Sequence, residues 1–172
     1  MKYTRFEELP VWQDAIEFAV GVYELTARLE FKGYYSLRDQ LERAAVSISN
    51  NIAEGFERGT TQELLTFLYI SRGSAGESRS ALCLIERLKN FANLKAEVLP
   101  LKGKAESISR QLRKWADSLQ NSDIKGQRYL TDKTQRAAQV ARERDGFIRQ
   151  LSEEHEKRLL ELEKQRKRSP EK

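Results

Sequence analysis

Between Pro10 and Gln120 apolar and small residues return every three or four positions in four successive stretches. That spacing constrains the fold more than any other feature, because it paints one stripe along an α-helix. The first stretch follows Pro10, a residue suited to a helix's first turn because its missing N–H has no intrahelical partner there. Trp12, Ala15, Ile16, Ala19, Val22, Tyr23 and Thr26 make its stripe. After a break near Phe31-Lys32-Gly33, Ser36 can cap a second helix whose face is Leu37, Leu41, Ala45, Ile48, Ile52 and Phe56, with Gly55 and Gly59 marking its end. Thr60 and Glu63 read as a capping box that starts a third helix. Its seam is Leu64, Leu68, Ser71, Ala75, Ser78, Leu82 and Ile85, with small residues at the waist. Leu101, Ala105, Ile108, Leu112, Trp115 and Leu119 define a fourth, with Pro100 in the preceding loop or in its first turn.

Four amphipathic helices with short connections bury their stripes most simply as an antiparallel up-down bundle. The expected fold class is therefore all-α, a four-helix bundle followed by a charged, helix-prone C-terminal tail. Composition agrees: nine Gly and three Pro in 172 residues supply few of the turns a sandwich or barrel needs. Residues 1–120 hold 17 Lys and Arg against 16 Asp and Glu, while residues 121–172 hold 14 against 10 in less than half the length. The boundary predicts a bundle domain over 1–120 and a charged connector and tail over 121–172. In the tail, Ile148, Leu151, His155, Leu159 and Leu162 fall at near-heptad spacing, which fits a short coiled coil or a solitary helix with i to i+4 ion pairs. Arg136, Arg142, Arg144, Arg149, Lys157, Arg158 and the Lys164 to Arg168 cluster are its basic elements.

The chemistry of catalysis is sparse. One cysteine, Cys83, and one histidine, His155, are too few for a disulfide scaffold or a structural zinc site, so no metal or other cofactor is expected. Gly73-Ser74-Ala75-Gly76-Glu77-Ser78 lacks the lysine of a P-loop and sits in a helical pattern, where its Gly and Ser suit close packing. The inward Glu-x-x-His motifs of di-iron bundles are missing, so no enzyme is expected. No apolar run approaches the ~18 residues of a membrane span, and a cytoplasmic protein is the default expectation. A net charge of +5 favours anionic partners without choosing among them.

The second helix carries a polar stripe, Arg43, Ser47, Asn50, Glu54 and Arg58, opposite Ile48 and Ile52. It reads either as a solvated face or as an intersubunit surface built from Arg43, Ser47, Asn51 and Glu54, with Ala44 and Ala53 beside them. The run Gln40, Arg43-Ala44-Ala45-Val46-Ser47-Ile48, Asn51-Ile52-Ala53-Glu54-Gly55 and Arg58 resembles the signature of the 23S rRNA intervening-sequence protein family of four-helix bundles. Leu9, Val11-Trp12, Ala15, Tyr23, Thr26, Phe67, Leu68, Gly73-Ser74 and Glu77 match its other preferred positions, so the likeness spans residues 5 to about 119. Leu29 to Tyr35 departs from the Phe-Pro turn common in the family.

The resemblance implies a ring-like homopentamer without a catalytic centre. One branch of such proteins includes the accessory variability determinant of diversity-generating retroelements, which associates with a reverse transcriptase and template RNA, so the resemblance also implies that kind of partner. Phosphate contacts are then expected from Arg38, Arg58, Arg72, Arg79, Lys102, Arg110, Arg113 and Lys114, although each also reads as an ordinary solvated charge. In a ring, five copies of a weak patch bind avidly. Trp12 and Trp115 lie on inward stripes and read as core, with base stacking as the alternative; Tyr34 and Tyr35 either stack on a base or close the bundle's end. The competing class is a protein-interaction scaffold that binds no nucleic acid.

Overall fold

Pro10 takes the first position of helix α1 (Pro10–Thr26), as its lack of an N–H predicts. The remaining helices are α2 (Tyr35–Glu57), α3 (Thr61–Ile85) and α4 (Lys95–Gln120), with 3-10 turns at Phe6–Glu8, Leu29–Phe31 and Lys89–Leu94. The computed structural model describes residues 3–121, 140 and 143–158, and these are all-α, with no strand among them. The chain divides into two units, Met1–Arg128 and Tyr129–Lys172. In the second, residues 143–158 form a helix exposed along its length. Arg136, Arg142, Leu159, Leu162 and the Lys164 to Arg168 cluster lie outside the described residues.

In the first unit α1 packs on α2 and α4, and α3 packs on the same two helices, so α1 and α3 occupy opposite edges. Side-chain pairings fix the directions. Ser71 of α3 meets Ile48 and Ser74 meets Ser47, so α2 and α3 run antiparallel. Tyr69 meets Gln120 and Glu86 meets Lys102, which sets α3 against α4 in the same sense. Asp14 meets Gln111 while a Cβ on Gly21 would touch Leu101, so α1 and α4 are antiparallel too. The core is continuous, with Phe18, Phe56, Phe91, Leu41, Ile48, Leu64, Leu82 and Leu112 fully or almost fully buried. One end is closed by aromatic rings: Phe31 and Tyr34 meet Phe91 edge to face, at centroid distances of 4.7 and 4.9 Å. Tyr34 therefore closes the bundle, while Tyr35 is 69 % exposed.

Several local expectations need correcting. Ser36 does not cap α2, whose N-cap is Tyr34 without a side-chain bond. Gly55 lies inside α2 rather than at its end, where a Cβ would stand 2.7 Å from Phe67 Cβ. Pro100 is inside α4, beyond its first turn. The α1 stripe is rotated: Val11, Phe18 and Leu25 are buried, whereas Ile16 and Tyr23 are exposed. A sequence apolar nearly all round, with Ile16, Phe18, Val20, Val22, Tyr23 and Leu25, offers no single face to periodicity. The Thr60 cap forms, but only as half of the expected box. Its Oγ1 accepts from the Glu63 N–H at 3.2 Å, while the Glu63 carboxylate accepts from that hydroxyl at 2.8 Å rather than from the Thr60 backbone N–H.

Candidate nucleic-acid and self-association surfaces

The eight cations expected to reach phosphate do not form one patch. Arg38 is held by Glu42 at 2.8 Å, and the same carboxylate accepts from Thr26 across the α1–α2 contact at 2.6 Å. Arg58 lies 2.6 Å from Glu54, 3.7 Å from Glu63 and over the Phe67 ring at 5.2 Å, at the α2–α3 corner. Its partners raise its already high pKa, first through the Glu54 bond. Lys102 is engaged with Glu86, both largely covered; the contact raises the lysine's pKa and lowers the glutamate's.

A more open set lies along α3 and α4. Arg72 and Arg79 stand two turns apart on α3, and neither makes an ion pair among the described residues. The Tyr69–Gln120 and Glu86–Lys102 contacts bracket them, and that register places Arg79 level with Ser109 and Arg110, and Arg72 level with Ala116 and Asp117. Arg110 pairs with Glu106 at 2.7 Å and Arg113 with Asp117 at 3.7 Å, both within their own helix and both arginine side chains 67 % exposed. Such exposed pairs contribute little and exchange readily for a phosphate. Helix α4 carries six Lys and Arg against three acids, whereas α1 carries Asp14, Glu17 and Glu24 and no basic residue. Of the α4 cations, however, Lys104 reaches Glu17 and Asp14 of α1, and α3 sets Glu63 and Glu77 against Arg72 and Arg79, so the α3–α4 side stands out by its unpaired and loosely paired arginines rather than by net charge. Lys114 points elsewhere, to a cavity shared with α1.

The polar stripe of α2 splits. Ser47 is turned toward α3 of the same chain, its hydroxyl 2.9 Å from that of Ser74, and Asn51 turns back along α2, its Nδ2 donating to the Ser47 carbonyl at 2.7 Å and hydroxyl at 2.9 Å. Arg43 and Glu54 are exposed and paired along their own helix, with Asp39 at 2.9 Å and Arg58 at 2.6 Å. The short side chains thus admit a neighbouring helix, and within the chain that helix is α3. Gly73 and Gly76, expected to serve close packing, face open space; Ser71, Ser74, Ala75 and Ser78 fill that role instead.

Two apolar stripes are left without a partner in the chain. On α1, Ile16, Val20 and Tyr23 are 37 %, 53 % and 48 % exposed and line a shallow groove with Ala19 and Ala27. On α3, Ile70 and Leu84 are exposed beside the open Gly73 and Gly76, next to Tyr69, whose ring is also exposed but whose hydroxyl accepts from Gln120 of α4. Periodicity missed the first because it assigned Ile16 and Tyr23 to the core. The signal for the second was Ile70 and Leu84 lying off the Leu64 to Ile85 seam.

Of the remaining residues singled out, Trp12 packs edge to face on Phe6 at 5.2 Å, and Trp115 is half-buried in a cavity wall. Cys83 is half-buried, and its carbonyl accepts from Arg87. Among the described residues no three His, Cys, Asp or Glu side chains gather as a metal-binding group, and no helix is long and apolar enough to cross a membrane.

The family model of the 23S rRNA-intervening sequence protein matches residues 7–114, which is more than half of the chain. No curated protein matches it.

Proposed function

The chain belongs to the 23S rRNA-intervening sequence protein family, and from that premise we propose that it is a non-catalytic, homo-oligomeric nucleic-acid-binding adaptor, a cytoplasmic pentamer that serves a retroelement reverse transcriptase and its template RNA. The observation that carries nucleic-acid binding is the α3–α4 side, where Arg72 and Arg79 lack ion-pair partners among the described residues and Arg110 and Arg113 hold only exposed partners within their own helix. Self-association is supported by the two apolar stripes. They differ in sequence and lie on opposite edges, so joining one to the other is heterologous, the kind of contact that closes rings. Arg43 and Glu54 already have partners on α2, so the apolar edges carry the association in this reading.

Fluorescence anisotropy with a structured RNA tests the binding. Affinity falls steeply between roughly 50 and 200 mM salt as counterions are released, and Arg72→Glu with Arg79→Glu weakens it at least about ten-fold, which is ~1.4 kcal/mol. Ile16→Lys with Val20→Glu lowers the mass seen by light scattering. An oligomer that binds no RNA at low salt would leave the scaffold reading, which the same apolar edges favour.

A further inference from the structure

A cavity of about 600 Å³ opens between the start of α1 and the last turns of α4. Its volume is within the usual range for small-molecule sites. We propose that it receives one unstacked base of the bound RNA, an inference that rests on the adaptor reading above. Leu9, Val11, the ring of Tyr3 and the half-buried indole of Trp115 supply apolar wall, and Gln111, Ser118, Lys114 and the Tyr3 hydroxyl supply the polar groups.

Each group has a task in that arrangement. Trp115 lines the cavity with an indole, the kind of side chain on which any base stacks. Gln111 Nε2 donates to the Asp14 carboxylate at 2.7 Å, which orients the amide and leaves its carbonyl oxygen as an acceptor for a base's exocyclic amine. Lys114 is exposed, makes no ion pair among the described residues and neighbours Trp115 in sequence, so it meets the phosphate that enters with the base. The 17-residue α1 begins at this wall with Pro10, and its positive dipole end adds to the preference for an anion. An apolar protein side chain would leave Lys114 and the Gln111 carbonyl unmatched. An acidic one would leave the indole and Val11 unmatched. A nucleotide matches both halves.

The test titrates the full chain with a single-stranded RNA of roughly 12 nucleotides, a length within the usual single-strand site range, and with an abasic ribose–phosphate polymer of equal length. Anisotropy and tryptophan emission are read together. The RNA binds about ten-fold more tightly than the abasic polymer and quenches emission; Trp115→Phe removes the quenching although Trp12 remains. Ser118→Phe fills the cavity's rim from an exposed position, so it reduces RNA affinity to the abasic level even if Trp115→Phe folds poorly. Lys114→Ala weakens both polymers. Equal binding of the two polymers without quenching overturns the base site and leaves the adaptor reading standing. Quenching that survives in Trp115→Phe also overturns it, and binding of neither polymer at low salt removes both.

Discussion

The α2–α3 and α1–α4 seams each bring a helix against a glycine, and they do so with opposite chemistry. At α2–α3 the contact is made by roots of side chains and by short hydroxyls. A Cβ on Gly55 would stand 2.7 Å from Phe67 Cβ and 3.2 Å from Leu64 Cδ1, and Ser71 Oγ donates to the Ile48 carbonyl at 2.9 Å. At α1–α4 the contact is made by the ends of long side chains. A Cβ on Gly21 would meet Leu101 Cδ2 at 2.8 Å, and Lys104 reaches Glu17 and Asp14 across the surface. Atoms at a side chain's root move only with the backbone, whereas atoms at its tip move by a rotamer change. One seam is therefore a fixed spacing and the other an adjustable one, inside a single bundle.

That contrast orders the expected effects. Gly55→Ala forces Phe67 and the α3 backbone outward and costs about 1–3 kcal/mol, read as a lowered urea midpoint. Ser71→Ala removes the cross-helix bond and costs about 0.5–1.5 kcal/mol by the same measurement. Gly21→Ala stays within about 0.5 kcal/mol of neutral, because the helix preference for Ala over Gly offsets the turn of Leu101. A Gly21→Ala loss equal to that of Gly55→Ala would erase the distinction.

The smallest effect concerns the α3–α4 contact between Glu86 and Lys102, whose side chains are 21 % and 23 % exposed. The Lys102 bond lowers the Glu86 pKa, so its contribution is present above the ordinary glutamate value and is lost as pH falls through the lower folded value. Lys102 is raised first by the Glu86 bond, so its contribution is present below the ordinary lysine value and is lost as pH rises through the raised one. The pair thus helps between about pH 4 and 10. Glu86→Gln should lower Tm slightly at pH 7 and make the fall in Tm on acidification shallower. An unchanged acid limb would assign that fall to other carboxylates, such as Glu30, whose pKa is lowered by its Asn93 bond.

How much of this was legible follows the same division. The α3 seam reads directly because Leu64, Leu68, Ser71, Ala75, Ser78, Leu82 and Ile85 keep a strict step of three and four, and all seven are buried. The Thr60 cap on the Glu63 N–H reads for a similar reason, since its atoms lie within four residues. Contacts between elements do not read. Nothing local to Gly55 announces Phe67, and Ser47 has the same spacing whether it faces water, another subunit or Ser74. For the cations, charge and position were visible, but which carboxylate holds each was visible only for i to i+4 pairs such as Arg38–Glu42. The Glu86–Lys102 pairing spans 16 positions and needed the fold.

The directions of the helices carry one more consequence. Along an up-down bundle the two ends are unlike: one bears the α1–α2 and α3–α4 connections, the other the start of α1, the α2–α3 turn and the end of α4 at Gln120. A closed ring with bundle axes along the ring axis has, in consequence, two different rims. In such a ring the cavity at Trp115, near that end of α4, faces the same way in every copy. A ligand approaching such a ring would meet a front and a back.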